Sequence, residues 1–385
     1  MKDRSQVFFV AGEPSGDLHA SELAQELRDA GGLSVGAVGG PRLRAAGADI
    51  LIDSSAWGAV GIPQALRQLP TCYAAYLKVV AHLLKHPPDL LVPVDFGAFN
   101  MRLLRRLGAH GRPRVLYFFP PGSWSRSERD WSDMAQLTDC VATPFSWSEE
   151  MLRQQGVNAH FVGHPVVDRV EPSDDVPALR CELGVAGDCF CLGLLAGSRA
   201  LERRLLGPQM LAAAARLLAS YSHLHVLFSP PPSAAGGGDG SLNLAQLGDR
   251  ATVVTDTVKL LQASDLVLTA FGTATLEAAA ALCPMIAVYR GTTGMWLQFR
   301  LMKPRSEFYA MPNIIAGNEV VPEFIRPDQT DAQALSEAAS RLIQDEKARA
   351  AMKERLASVR RALGPPGAIR RTADLALQIM ASEKS

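Results

Sequence analysis

The sequence predicts an α/β protein of two Rossmann-like parallel-sheet domains that face a cleft. Three observations carry this. Short apolar runs alternate with amphipathic stretches along the chain. A polar, acidic, proline-bearing segment, Asp168-Arg-Val-Glu-Pro-Ser-Asp-Asp-Val-Pro177, breaks the alternation and reads as an interdomain linker. The alternation then restarts. Runs too apolar to be half exposed belong to strands covered by helices on both faces, as in parallel sheets. At about 150 residues per domain, the 385 residues hold two or three units.

In chain order, the first set of strand candidates is Val7–Ala11, Val35–Gly39, Leu90–Asp95, Val115–Phe119, Cys140–Pro144 and His160–Gly163. Between them lie amphipathic segments such as Ser21–Ala30 and Tyr73–Lys85; Gly61–Lys85 reads as an apolar stretch interrupted by Pro63 and Pro70. After the linker come Cys189–Leu195, His225–Ser229, Thr252–Thr255, Leu266–Ala270 and Met285–Tyr289. Pro230-Pro-Pro232 and the glycine-rich residues to Gly240 form a turn-rich loop. The tail is helical over Asp331–Gln344, Glu346–Leu363 and from Ala368 onward. The expected domains are therefore 1–170, 178–345 and a helical tail of 346–385. Ligands favour the cleft that two such domains form.

Composition excludes several classes. Hydrophobic residues at 48% and charged residues at 20% describe a packed protein rather than a disordered one. Basic and acidic residues balance at 39 each, so the general positive field that nucleic-acid binding needs is missing. The six cysteines form no C-x-x-C and no Cys/His quartet, which predicts reduced thiols and no zinc site. The apolar run after MKDRSQ is shorter than the ~7–15 residues of a signal-peptide core. The most apolar long stretch, Leu266 to Val288, carries Glu277 and Pro284 and reads as strand, helix, strand rather than a membrane span.

Candidate chemistry gathers where strands end. Gly12-Glu-Pro-Ser-Gly-Asp17 follows the first strand, where open parallel sheets place ligands. Glu13, Ser15 and Asp17 are substrate-contact candidates, although Ser15 or Asp17 capping the next helix explains the same residues. Asp95 ends a buried strand, where burial raises its proton affinity and suits it to take a proton from a sugar hydroxyl; the bland alternative is a cap for the helix near Asn100. Gly197-Ser198-Arg199 ends a strand and opens a helix, pairing free amides with a hydroxyl and a planar cation, a combination suited to a diphosphate. Gly272-Thr273 and Glu277 repeat the strand–glycine–helix pattern, with a carboxylate placed to read ribose hydroxyls. Asn313 is a polar residue in an apolar context that reads either a uracil edge or a turn. No Asp-x-Asp pair and no metal-ligand histidine spacing occurs, so no metal and no cofactor is expected.

Taken in order, these segments resemble the lipid-A-disaccharide synthase family of GT-B glycosyltransferases. The resemblance runs through Val10–Asp17, Val38-Gly-Gly-Pro-Arg42, Val94-Asp95 with Phe99-Asn100, Phe161-Val-Gly-His164, Gly197–Arg199 with Glu202, Ser264-Asp265, Gly272–Glu277 and Met311–Gly317. It implies inverting, metal-independent transfer of 2,3-diacylglucosamine from a UDP donor to 2,3-diacylglucosamine 1-phosphate, giving a β-1,6-linked disaccharide and UDP. Asp95 matches the family's catalytic aspartate. Arg199, Glu277 and Asn313 match its nucleotide side, and Glu13, Ser15 and Asp17 its first loop. The resemblance also implies a cytoplasmic protein held peripherally at the inner membrane face. Its C-terminal helices would return to the N-terminal domain, or swap onto it in a homodimer. Departures from the pattern are Ala98, Arg126 and Ala196. The alternatives are a UDP-GlcNAc 2-epimerase, a lipid-linked sugar transferase, or a non-catalytic paralogue that binds UDP-sugar or lipid.

Overall fold

The computed structural model describes residues 6–55, 57, 62–109, 111–123, 131–185, 188–230, 244–292 and 307–382. Position 126 and most of the proline- and glycine-rich loop lie outside the described residues. The chain divides into two units, Met1–Asp168 with Leu363–Ser385, and Arg169–Ala362.

The first unit is a seven-stranded parallel sheet of β1 (Gln6–Ala11), β2 (Ser34–Gly39), β3 (Asp49–Asp53), β4 (Leu90–Val94), β5 (Arg114–Phe118), β6 (Cys140–Thr143) and β7 (Ala159–Phe161). Its order is β3-β2-β1-β4-β5-β6-β7, so the winding direction reverses between β1 and β4. The helices are α1 (Pro14–Gly31), α2 (Pro41–Ala45), α3 (Ile62–Lys85), α4 (Gly97–Gly108), α5 (Ser132–Leu137), α6 (Ser146–Arg153) and α7 (Val166–Arg169). Strand β1 shows why both faces are covered. Val7 and Phe9 pack with Leu23 and Leu27 of α1, whereas Phe8 and Val10 pack with Val79 and Leu83 of α3 and Leu103 of α4. A one-residue slip would exchange Phe8 and Phe9 between two filled cores, so the register is fixed, and with it the level at which Glu13 leaves the sheet. Helix α3 runs unbroken from Ile62 to Lys85, against the expected interruption. A helix-interior proline removes one backbone hydrogen bond without ending the helix, and Pro70 lies on the exposed side.

The second unit repeats the plan. Its strands are β8 (Phe190–Leu195), β9 (Leu224–Phe228), β10 (Ala251–Val253), β11 (Leu266–Ala270), β12 (Met285–Val288) and β13 (Glu323–Phe324), in the order β10-β9-β8-β11-β12-β13. The reversal lies between β8 and β11. Helices α8 (Val176–Glu182), α9 (Ala200–Ser220), α10 (Thr257–Ala263), α11 (Thr273–Ala280), α12 (Met311–Ala316), α13 (Ala332–Gln344) and α14 (Glu346–Ala362) connect and cover the strands.

The tail departs from expectation at α14, which belongs to the second unit rather than returning to the first. It buries Met352, Leu356 and Val359 and packs on α11 and α12, while Arg360 donates to the carbonyls of Val170 and Ala280 at 2.6 Å. The chain rejoins the first unit at Leu363, whose carbonyl accepts from the His164 N–H at 2.8 Å. Helix α15 (Ala368–Ala381) then docks on α1 and β5, its N-terminus capped by the Asp168 carboxylate on the N–H groups of Gly367 and Ala368. No described helix is long and apolar enough to cross a membrane.

Candidate active site

Each sheet concentrates its chemistry at the reversal point, where the two loops that diverge leave a crevice. In the first unit these loops follow β1 and β4. Asp95 and Phe96 come directly after β4, both with φ of 48°. Left-handed backbone costs a non-glycine residue roughly 1–2 kcal/mol, so two in succession must be held by their surroundings. The Asp95 N–H donates to the Phe118 carbonyl at 3.0 Å. The Asp95 carbonyl accepts from the Tyr117 hydroxyl and from Asn100 Nδ2, each at 2.8 Å. Phe96, not Asp95, is the N-cap residue of α4, so the capping explanation of Asp95 is set aside.

The Asp95 carboxyl is pushed up to about 6, chiefly by burial and further by the negative charge of Glu13, against a backbone hydrogen bond from Phe96 that favours ionisation. Glu13 is the N-cap residue of α1, and Ser15 lies in that helix's first turn. Their loop presses on the β4 loop. A Cβ at Gly12 would come within 2.3 Å of the Phe96 ring, so only glycine fits.

In the second unit the loops follow β8 and β11. Gly197 has φ of 101°, and a Cβ there would meet the Glu202 carboxylate at 2.5 Å and Ala270 Cβ at 3.2 Å. Arg199 is the N-cap of α9, with its guanidinium 3.0 Å from Glu202. The buried Arg203 donates to the Ser198 carbonyl and fixes the loop from below. Gly272, at φ of 120°, is the N-cap of α11 and has no side chain of its own to cap the helix. The first α11 amides lie beside Thr273, and Glu277 follows one turn later on the same helix, half-buried. Gly197, Ser198, Arg199, Gly272, Thr273 and Glu277 thus lie on the two loop–helix junctions flanking one reversal point. Their pattern is suited to an anion and a polar sugar.

Two expected site residues are corrected. Asp17 is buried and accepts from the N–H groups of Gly40 (2.7 Å), Arg42 (3.0 Å) and Leu43 (3.2 Å), so it caps α2 across the sheet edge rather than meeting substrate. A capping role within α1 also fails, because Asp17 stands one turn inside that helix. Asn313 is fully buried, and its amide is consumed by its own unit. Oδ1 accepts from Val320 and Val321 N–H, while Nδ2 donates to the Val321 carbonyl and to Glu323. No edge of that amide is left to read a base.

Sequence reasoning missed several neighbours. Tyr117 looks like one more apolar strand residue, yet its hydroxyl reaches Asp95. Tyr289 follows β12, and its hydroxyl titrates above the ordinary tyrosine range through burial and the charge of Glu202, against the pull of Arg199. Its ring stacks near Phe271, with centroids 6.1 Å apart. An aromatic just past a strand end is the available signal for Tyr289, whereas Tyr117 lies within β5 and carries none. His19 and His164 are buried in an aromatic cluster with Phe119, whose ring stacks on His19 at 4.4 Å. Among the described residues no three His, Cys, Asp or Glu side chains converge as a metal site.

Two doubly wound sheets in one chain, each with polar groups at its reversal point, define the GT-B fold. Solved structures with this architecture include Staphylococcus aureus MnaA with UDP (TM-score 0.63, 13% identical, 99% of both chains). The calicheamicin glycosyltransferase CalG4 is another (TM-score 0.61, 18% identical, all of both chains). At such identities they show the fold alone. Sequence goes further: the family described as lipid-A-disaccharide synthetase matches residues 7–379. Lipid-A-disaccharide synthases of Geobacter sulfurreducens and Geobacter metallireducens are 33% and 34% identical, covering 98% of each chain. That of Myxococcus xanthus is 32% identical over 99% of both. The chain belongs to the lipid-A-disaccharide synthase family and is a hexosyltransferase of lipid A biosynthesis.

Proposed function

We propose that the enzyme is an inverting, metal-independent transferase that moves 2,3-diacylglucosamine from UDP to the 6-hydroxyl of 2,3-diacylglucosamine 1-phosphate. Asp95 takes the hydroxyl proton as that oxygen bonds to the anomeric carbon. The bond from the anomeric carbon to the diphosphate breaks with its electron pair, and UDP departs. Gly197, Ser198 and Arg199 meet the diphosphate charge, with Gly272 and Thr273 adding amide donors and Glu277 holding the ribose. Glu13 and Ser15 line the acceptor side. One observation carries the assignment of the base: a half-buried carboxyl stands at the first unit's reversal point, pushed up to about 6 by burial and by Glu13, so that it is poised near neutral pH.

UDP as the leaving group is supported by the neighbour whose structure contains UDP and by a Neisseria meningitidis UDP-GlcNAc 2-epimerase solved with UDP-GlcNAc. The epimerase chemistry itself is set aside. Those structures are 12–15% identical, against 32–34% for the synthases. Peripheral contact with the leaflet that carries the acylated substrates is supported by α3, where Tyr73, Leu77 and Leu84 are 58%, 50% and 42% exposed. These positions fall on one stripe of the helix, the pattern of a surface that lies on lipid.

The test is disaccharide formation from both acylated substrates, followed by mass spectrometry, with plain UDP-GlcNAc run alongside. A β-1,6 disaccharide and UDP are expected. Epimerised UDP-sugar without disaccharide would overturn the assignment.

A further inference from the structure

Asp95 sits in a backbone conformation that an aspartate followed by phenylalanine does not hold unaided, and besides the Phe118 carbonyl that accepts from its N–H, two buried side chains hold it. Tyr117 is fully buried in β5 and surrounded by apolar residues, yet its hydroxyl reaches the Asp95 carbonyl at 2.8 Å. Asn100, fully buried in α4, spends one Nδ2 hydrogen on the same carbonyl at 2.8 Å and the other on the Val10 carbonyl of β1 at 3.3 Å. One carbonyl thus ties three neighbouring elements together. Behind it, Phe96 is packed over Gly12 and against Trp57 and Phe99, with ring centroids 5.7 and 5.3 Å away. A hydrogen bond from a buried hydroxyl to a loop carbonyl would be an odd expense for core packing alone, since phenylalanine fills the same space without a polar group to satisfy.

We propose that Tyr117 and Asn100 are positioning residues for Asp95: together they clamp its carbonyl and hold the left-handed turn that sets where its carboxylate points. This rests on the reading of Asp95 as the base. Neither side chain touches substrate. Each acts through the backbone of residue 95, so loosening either one moves the carboxylate without altering the surfaces that bind the two sugars. A displacement of about 1 Å at a reacting group costs on the order of 100-fold in rate.

Tyr117→Phe keeps the ring and removes only the clamp, and Asn100→Leu provides an independent variant should the first lose its cooperative melt. Both are compared with wild type and Asp95→Asn in initial-rate assays with the two acylated substrates. The expected result is a kcat lower by roughly 10- to 100-fold, with KM for each substrate and UDP affinity within twofold. The acid limb of the pH profile should also move below that of wild type, because a freed carboxyl gains water. Glu13 is the charged group acting on Asp95, and the Tyr117 hydroxyl is held neutral by burial. A folded Tyr117→Phe or Asn100→Leu enzyme with wild-type kcat and an unmoved acid limb, beside an inactive Asp95→Asn, overturns the positioning role and leaves the base intact. Wild-type turnover by Asp95→Asn removes the base, and the clamp's purpose with it.

Discussion

The two units share a strand order through their first six strands and differ in what they present at the reversal point. After β1 and β4 the first unit offers carboxylates, Glu13 and Asp95, with no arginine among the groups that shift Asp95. After β8 and β11 the second offers Arg199 paired with Glu202, and the glycine-capped N-terminus of α11 with Glu277 one turn along. The backbone devices correspond as well. Gly12 makes room for Phe96 in one unit, and Gly197 makes room for Glu202 in the other. On the proposed function, one scaffold serves two tasks, accepting a proton in the first unit and meeting the diphosphate in the second. The difference lies in a few residues on the loops rather than in the sheets.

The two units are expected to part most clearly at Asp95. Asp95→Asn should lower turnover by about 10²–10⁴-fold, the usual contribution of a general base, while calorimetric UDP affinity stays within a few-fold. Equal loss of both would mean that the units do not divide the labour. Next in size is Arg199→Ala, expected to weaken UDP binding by about 1.5–3 kcal/mol, the range for a hydrogen bond to a charged group. Arg199 already pairs with Glu202, so Glu202→Gln should leave UDP affinity equal or tighter. A weaker complex in that variant would recast the pair as a structural strut. Asp17→Ala separates a cap from a substrate contact. It should lower stability by ~1–2 kcal/mol in denaturant melts, the cost of a lost N-cap, and leave both KM values unchanged. The smallest expected effect is on lipid contact. Leu77→Glu should reduce co-sedimentation with anionic vesicles several-fold while activity on detergent-solubilised substrates holds.

Much of the architecture is legible in the sequence, because strands buried on both faces leave unmistakable apolar runs. Strand β3 is not legible in the sequence, because an edge strand reading Asp-Ile-Leu-Ile-Asp is partly exposed and framed by acids. Helix α1 begins well before its amphipathic pattern, under glycines and a proline that read as loop. The glycine–polar junctions after β8 and β11 were visible for a physical reason: the chain must turn tightly from strand to helix, and few residues can do so. Asn313 and Asp17 misled in the same way. A buried polar residue must be satisfied, and spacing alone does not say whether its partner is a ligand or the protein's own backbone. Here three N–H groups answer Asp17, and Val320, Val321 and Glu323 answer Asn313. Tyr117 was hidden for the opposite reason, since its ring satisfies the apolar pattern and its hydroxyl adds no signal.

Burial of Asp95 also has a thermodynamic face. Its proton affinity is higher in the folded protein than in the unfolded chain, so keeping it ionised opposes folding. The penalty is absent below the unfolded value of 3.8 and grows until the pH passes about 6. Asp95→Asn should therefore melt at a higher temperature than wild type at pH 8 and show little difference near pH 4. Whether Asp95 is the base is decided by the pH dependence of kcat/KM in the wild-type enzyme. A carboxylate that must be free to take a proton predicts a single acid limb centred near pH 6, absent from the residual activity of Asp95→Asn. A wild-type rate that stays level down to pH 4.5, in enzyme that remains folded there, would contradict it.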